Sequence, residues 1–241
     1  MTPASTLRGD LAEAAHALSR LGLVTAYGHV SARCGASMLI TPAADLAVVT
    51  ESSVVAVPLD TPSLPAGAPA EAWAHIALYQ ARPDAGSIAR AQPASAFAAA
   101  ATTEALTPLY GQAAWLGASV PVHDSAHLLR SADLAGRAAK SLPAGEALLL
   151  RGNGALTLGG TPGIAVARMW LLSAACDACL ATQASRHIAP LTAEEIASWR
   201  DAADELLPRL WRHLQRHGGS RPSTSPFSSP RSGMTPRRRA Q

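Results

Sequence analysis

The run "EALLLRGNGALTLG", residues 146–159, constrains this chain more than any other. Two apolar stretches of strand length flank Gly152-Asn153-Gly154. Glycine on both sides of asparagine supplies the positive backbone angles that a tight antiparallel connection needs. The run predicts a β-hairpin with its turn at residues 152–154. A sheet that contains such a pair is not purely parallel.

The rest of the chain fits around that hairpin. Apolar residues at Leu7, Leu11, Ala14, Ala15, Leu18 and Leu21 recur at helical spacing and predict a helix over 5–21 that ends at Gly22. "LVTAYGHVSAR" and "SMLITP" read as two strands around Cys34-Gly35, and "SSVVAVPLD" as a third. The Pro/Gly-rich "TPSLPAGAPAE" is a loop leading to a helix over 71–82. A short apolar strand follows the turn at Pro83-Asp84 and ends at Arg90-Ala-Gln92, before a helix over 93–103. "AAWLGASVPVHD" is strand-rich, and "AHLLRSADLAGRAAKSL" is a helix disturbed at Ser131 and Asp133. Two further helices are predicted, over 161–185 and over 192–216, the second opened by the capping pattern Thr192-Ala-Glu-Glu195. Strands alternating with helices, several of them hairpin-linked, predict a mixed sheet with helices on both faces. No internal repeat is visible.

Composition narrows the class. The chain has 241 residues, 48% of them hydrophobic and only 4% aromatic, which suits one domain with a core of Ala, Leu and Val. Three cysteines, Cys34, Cys176 and Cys179, make no disulfide framework and point to a reducing, cytoplasmic setting. No apolar run is read as reaching transmembrane length, and the charged N-terminus does not resemble a signal peptide. The net charge of +3 comes from residues 218–241, which hold five arginines (221, 231, 237, 238 and 239) and no acid. Removing those five from the 20 Lys and Arg leaves 15 against 17 Asp and Glu. The domain is therefore read as 1–217, followed by a disordered Ser/Pro/Arg-rich tail over 218–241. Its "RRR" run is too short to predict nucleic-acid binding.

The sequence lacks a G-x-S-x-G elbow, a phosphate-binding P-loop and a dinucleotide fingerprint. His123 and His127 are four apart, but Asp124-Ser125 between them reads as a helix start and a third ligand is missing. Cys176 and Cys179 lie in a strongly helical stretch without a second cysteine pair, so they read as one face of a helix rather than a zinc or redox motif.

Six runs, in order, resemble the class II aldolase/adducin family: "GLVTAYGHVSAR", "MLITP", "PAEAWAHIALYQARPDAGSI", "TPLYGQAAWLGASVPV", "ALLLRGNGALTLGGTPGIA" and the long helix that follows. Together they span roughly residues 7–215. The resemblance implies a three-layer α/β/α fold with a mixed, largely antiparallel central sheet, and a homotetramer with active sites between subunits. Enzymes of the family include sugar-phosphate aldolases, an epimerase and aromatic-acid decarboxylases. They bind a divalent metal through three histidines, and the metal holds the negative charge that develops on the substrate's oxygen.

At the corresponding positions this chain has Arg90, Gln92 and Asn153. A guanidinium has no lone pair to offer, and amide oxygens are poor zinc ligands. The expected metal set is therefore none, and no other cofactor is implied. A metal held instead by other histidines is a third possibility. Glu71, four residues before His75, matches the family's proton carrier. Ala43-Ala44 and Pro69-Ala70 stand where phosphate-binding hydroxyls are common, so a phosphorylated substrate is disfavoured. His29 in "GHVS" is similar to the decarboxylase-like branch.

These matches predict a metal-independent lyase-type enzyme acting on a small carbonyl or carboxylate compound, with no membrane partner. Glu71 would be the acid/base and Arg90 the oxyanion stabiliser in place of the metal, while His29, Ser31, Gln92 and Asn153 would bind substrate. Each residue also has a plainer reading: Glu71 as a first-turn helix acid, Arg90 as the partner of an acid, His29 and Asn153 as turn formers, His75 as a packing residue. The rival prediction is a catalytically inactive paralogue serving as a structural or interaction module. Retained Glu71, His75, Gly28 and Arg33 beside the lost ligands favour a reused pocket.

Overall fold

The computed structural model describes residues 4–216. Residue 217 and the tail expected over 218–241 lie outside the described residues. Eight strands form one sheet: β1 (His29–Cys34), β2 (Ser37–Ile40), β3 (Val55–Pro58), β4 (Ser87–Ala91), β5 (Ala105–Leu106), β6 (Val120–His123), β7 (Ala147–Leu150) and β8 (Gly154–Gly159). Their spatial order is β3-β2-β1-β4-β8-β7-β6-β5. Every pairing is antiparallel except β6 with β7. Seven α-helices complete the described chain: α1 (Ala4–Arg20), α2 (Ala72–Ala81), α3 (Ala94–Thr102), α4 (Ala132–Lys140), α5 (Pro162–Thr182), α6 (Ala193–Asp201) and α7 (Ala203–Arg216).

The two-residue period of the strands separates the helices into two layers. Val30, Ala32, Ala89, Ala91, Leu149 and Ala155 face one core, which α1, α3, α5 and α7 cover. Ile88, Leu148, Leu150, Leu156 and Leu158 face the other, covered by α2 and α4. Small residues dominate the first face, so the long helix α5 can lie close to the sheet. The result is the expected three-layer α/β/α arrangement.

The structure corrects several boundaries. The hairpin turn is Arg151-Gly152-Asn153, because Gly154 already pairs with Leu150 as the first residue of β8. Gly154 has φ +79°, and a Cβ there would stand 2.3 Å from Ala91 O. Its glycine serves close approach to β4 as much as the turn. The stretch expected to be strand-rich is a 3-10 helix at Gly111–Leu116 followed by β6, since Trp115 and Leu116 are buried from that coil. The helix expected from residue 126 begins only at Ala132, where the Ser131 hydroxyl accepts from Leu134 N. Residues 126–131 are left as a loop.

The single helix expected over 192–216 is two. Thr192 and Glu195 do form a capping box. However, α6 docks on the 3-10 helix, where Trp115 Nε1 donates to Trp199 O at 2.7 Å. Its successor α7 docks instead on α5, and Trp211 fills the space beside Gly163. Two docking directions require the break at Ala202. Helix α5 is also long and apolar enough to cross a bilayer by length and composition, contrary to the sequence expectation. It is apolar because it lies between the sheet and α1, α3 and α7.

Candidate functional site

Strand register sets the centre of the site. His29 and Arg90 are direct partners across β1 and β4, so both side chains emerge on the face that α2 covers. Helix α2 brings Glu71 at its N-terminal end and His75 one turn later. The β7–β8 turn adds Asn153 from the far side of β4. Gly28 lets the chain enter β1 tightly against β4. A Cβ there would stand 2.5 Å from Val24 Cγ1 and 3.2 Å from Arg90 O.

These residues border a cleft of about 690 Å³, lined by His29, Glu71, Arg90, Gln92 and Asn153. Ala43, Ala44, Pro69 and Ala70 give it an apolar wall without hydroxyls. Tyr27, Leu128 and Arg130 form its outer rim. The structure thus gathers five of the six residues singled out for the site around one cavity. The sixth, Ser31, is fully buried behind the wall, because it sits two residues deeper along β1. Its hydroxyl meets His75 Nδ1 at 2.8 Å and Tyr79 Oη at 2.9 Å.

The base of the cleft is one connected network. Arg90 Nη2 lies 3.1 Å from Glu71 Oε2. The same nitrogen donates to Asn153 Oδ1. Asn153 Nδ2 donates to Glu71 Oε1 at 2.9 Å, and Gln92 Nε2 reaches Asn153 Oδ1 at 3.3 Å. Glu71 makes no side-chain cap to its own helix, so it is not an ordinary first-turn acid. Asn153 is more than a turn former, since both ends of its amide are used.

Electrostatics follow from burial. Burial lowers the Arg90 pKa from its ordinary value, and Glu71 opposes that. Burial, then His75 and Arg90, push His29 well below its ordinary 6.5. Burial, then Arg90, push His75 down to about 3. Both imidazoles are therefore neutral at physiological pH. A carboxylate–guanidinium pair on the cleft, beside neutral imidazoles of which His29 lines it, can move a proton and hold a developing anion, the two tasks of enolate chemistry.

The family's three-histidine metal does not fit this donor set. The corresponding positions carry a guanidinium tied to Glu71 and two amides tied to each other. No group of three His, Cys, Asp or Glu could hold a metal ion among the described residues. His123 ends β6 and bonds Ser141 Oγ, while His127 bonds Ser125 Oγ, so that pair does not converge. Cys176 and Cys179 lie along α5 as free thiols, with Cys176 buried.

Two readings of the pocket are revised. Arg33 points away from the cleft and serves the end of α2, donating to the Tyr79, Arg82 and Ala85 carbonyls. Tyr79, Tyr27, Leu128 and Arg130 join the site without having been singled out by the sequence. Tyr79 had a usable signal, since it follows His75 by four residues on one helix. The rim residues had none, because loops bring them together.

Residues 9–180 match the class II aldolase and adducin N-terminal domain. The chain belongs to the class II aldolase and adducin family. Among solved structures it is similar to YgbL, described as a putative aldolase/epimerase/decarboxylase from Escherichia coli. The two are 22% identical over 82% of this chain and 99% of that one, with a TM-score of 0.71. An aldolase II superfamily protein from Pseudomonas syringae matches at 23% identity over 90% and 94%, TM-score 0.74. The L-fuculose-1-phosphate aldolase from Thermus thermophilus matches at 26% identity over 76% and 98%, TM-score 0.68. No curated protein matches the sequence. Within the class II aldolase fold, the Glu71–Arg90–Asn153 network occupies the region where the family resemblance places metal ligands.

Proposed function

We propose that this class II aldolase relative is a cytoplasmic, metal-independent lyase-type enzyme acting on a small activated carbonyl or carboxylate compound. The observation that carries this reading is the buried Glu71–Arg90 pair opening onto the cleft. At rest the pair is satisfied internally. A substrate whose oxygen carries negative charge competes with Glu71 for the guanidinium, whereas an uncharged one does not compensate the separation of two buried charges. As Arg90 turns to the substrate oxygen it stabilises an enolate-like intermediate. The same movement frees the Glu71 carboxylate, which lines the cleft. Glu71 thus becomes the base at the step where an acceptor is required, while Gln92 and Asn153 orient the ligand and His29 walls it.

The hydroxyl-free wall at residues 43, 44, 69 and 70 supports a β-keto or hydroxyaryl acid over a sugar phosphate. A homotetramer follows from the family resemblance, and association near the rim would cover the exposed Tyr27 and Leu128.

A second reading is supported by the closed network: every base-of-cleft group that Arg90 Nη2 touches is already satisfied, as suits an inactive structural module. A panel of β-keto and hydroxyaryl acids separates the two, assayed for carbon dioxide release and for solvent deuterium incorporation. Turnover that Glu71→Gln and Arg90→Ala abolish supports the enzyme. A wild-type protein inert across the panel, with a tail-dependent partner in pull-down, supports the module.

A further inference from the structure

Behind the cleft wall, three buried polar atoms have no protein partner: His29 Nδ1, His75 Nε2 and Arg90 Nη1. They come from three different elements, β1, α2 and β4. His29 is 9% exposed, His75 0% and Arg90 3%. The two imidazole rings stand edge to face with centroids 5.9 Å apart, and His29 is the cross-strand partner of Arg90. A buried polar atom left without a partner is costly, and three on neighbouring side chains call for a partner that the protein itself does not supply.

The hydrogen-bond chain behind His75 sets its tautomer. Tyr79 Oη, Ser31 Oγ and His75 Nδ1 are linked at 2.9 Å and 2.8 Å. Only one order gives both hydroxyl hydrogens an acceptor within this chain. Tyr79 donates to Ser31, and Ser31 donates to His75 Nδ1. The neutral ring then carries its proton on Nε2. That atom and Arg90 Nη1 are therefore two buried donors on elements that both pack against His29, and the partner each lacks is an acceptor.

We infer that Arg90 Nη1–H and His75 Nε2–H form an inner slot for one anionic oxygen of the ligand, with His29 as the wall between slot and cleft. This rests on the proposed ligand being an anion. It adds His75 as a direct oxygen donor, and it assigns Ser31 and Tyr79 to positioning: they hold His75 in its donor tautomer. The slot admits a carboxylate or enolate oxygen and excludes a cation or a group that only donates.

Acetate is the probe, titrated into the full chain labelled with 15N at histidine. His75 should show a protonated Nε2 in the free protein, and acetate should shift that resonance saturably. His75→Leu should weaken acetate binding about tenfold or more, while His75→Gln, which keeps an amide donor, should retain most of it. A free protein with His75 protonated on Nδ1 overturns the slot. So does an Nε2 resonance that acetate leaves unmoved, as a fixed internal water would. If His75→Leu does not fold, the wild-type titration decides alone. Failure of the lyase reading looks different: an acetate-responsive His75 in a protein inert on every acid keeps the slot and removes the reaction.

Discussion

Arg90 Nη2 stands 3.1 Å from Glu71 Oε2, with the two side chains only 4% and 11% exposed. Such a pair is costly to split, because removing one partner strands a largely buried charge with little access to water. Arg90→Met or Glu71→Gln alone should destabilise the fold by about 3–5 kcal/mol. The double variant should recover much of that loss, since neither charge is left unpaired. Urea unfolding of the four proteins checks this as a double-mutant cycle. Additive losses would mean that the two groups are not coupled.

Acid should unfold the protein early. His75 is held at about 3 against an ordinary 6.5, and His29 is lowered as well, so the unfolded chain binds protons that the folded chain refuses. Stability from these groups is complete above about pH 6.5 and is lost as pH falls toward 3. By pH 5 the loss from His75 alone should be about 2 kcal/mol. Urea midpoints measured between pH 7.5 and pH 5 should fall in wild type and fall less in His75→Leu. Parallel curves for the two proteins would show that His75 is not the group responsible.

The layers were legible in the sequence because they rest on local periodicity. Alternation along residues 147–159, which form β7, β8 and their turn, sends Leu148 and Leu156 to one core and Leu149 and Ala155 to the other, and that pattern is visible without coordinates. Glu71 and Arg90 were singled out only through the family resemblance; that they meet follows from the convergence of a helix start and a strand end. Three things were not legible. Ser31 was misplaced because a two-residue step along β1 decides between cleft wall and core. Arg33 looked like a pocket residue, but its carbonyl partners are 46 to 52 residues away along the chain. The break at Ala202 depends on Trp199 and Trp211 finding different neighbours, which no local pattern encodes.

Gly154 offers a test of how the cleft floor is built. Its φ of +79° strains any other residue, and a Cβ would meet Ala91 O at 2.3 Å and Gln92 Cα at 2.9 Å. Backbone on one side and strand on the other leave little room to give. Gly154→Ala should therefore cost on the order of 2–4 kcal/mol and should displace Gln92 from Asn153. Thermal unfolding gives the first effect, and loss of ligand binding in the folded fraction gives the second. A melting temperature unchanged from wild type would mean that β8 can retreat from β4.

Arg33 predicts a case in which charge alone does not substitute. Its Nη2 donates to Tyr79 O at 2.7 Å and Arg82 O at 3.1 Å, while Nε donates to Ala85 O at 3.0 Å. The guanidinium also lies 4.7 Å above the Tyr79 ring. One planar group thus satisfies carbonyls at the end of α2 and beyond it, and holds the tyrosine that starts the relay to His75. Lysine keeps the cation but concentrates its donors at one point. Arg33→Ala should cost about 2–3 kcal/mol, and Arg33→Lys should restore less than half of it. Amide exchange should show lost protection in the last turn of α2 in both variants. Full recovery in Arg33→Lys would show that the cation over the ring, rather than the three-carbonyl fork, holds this corner together.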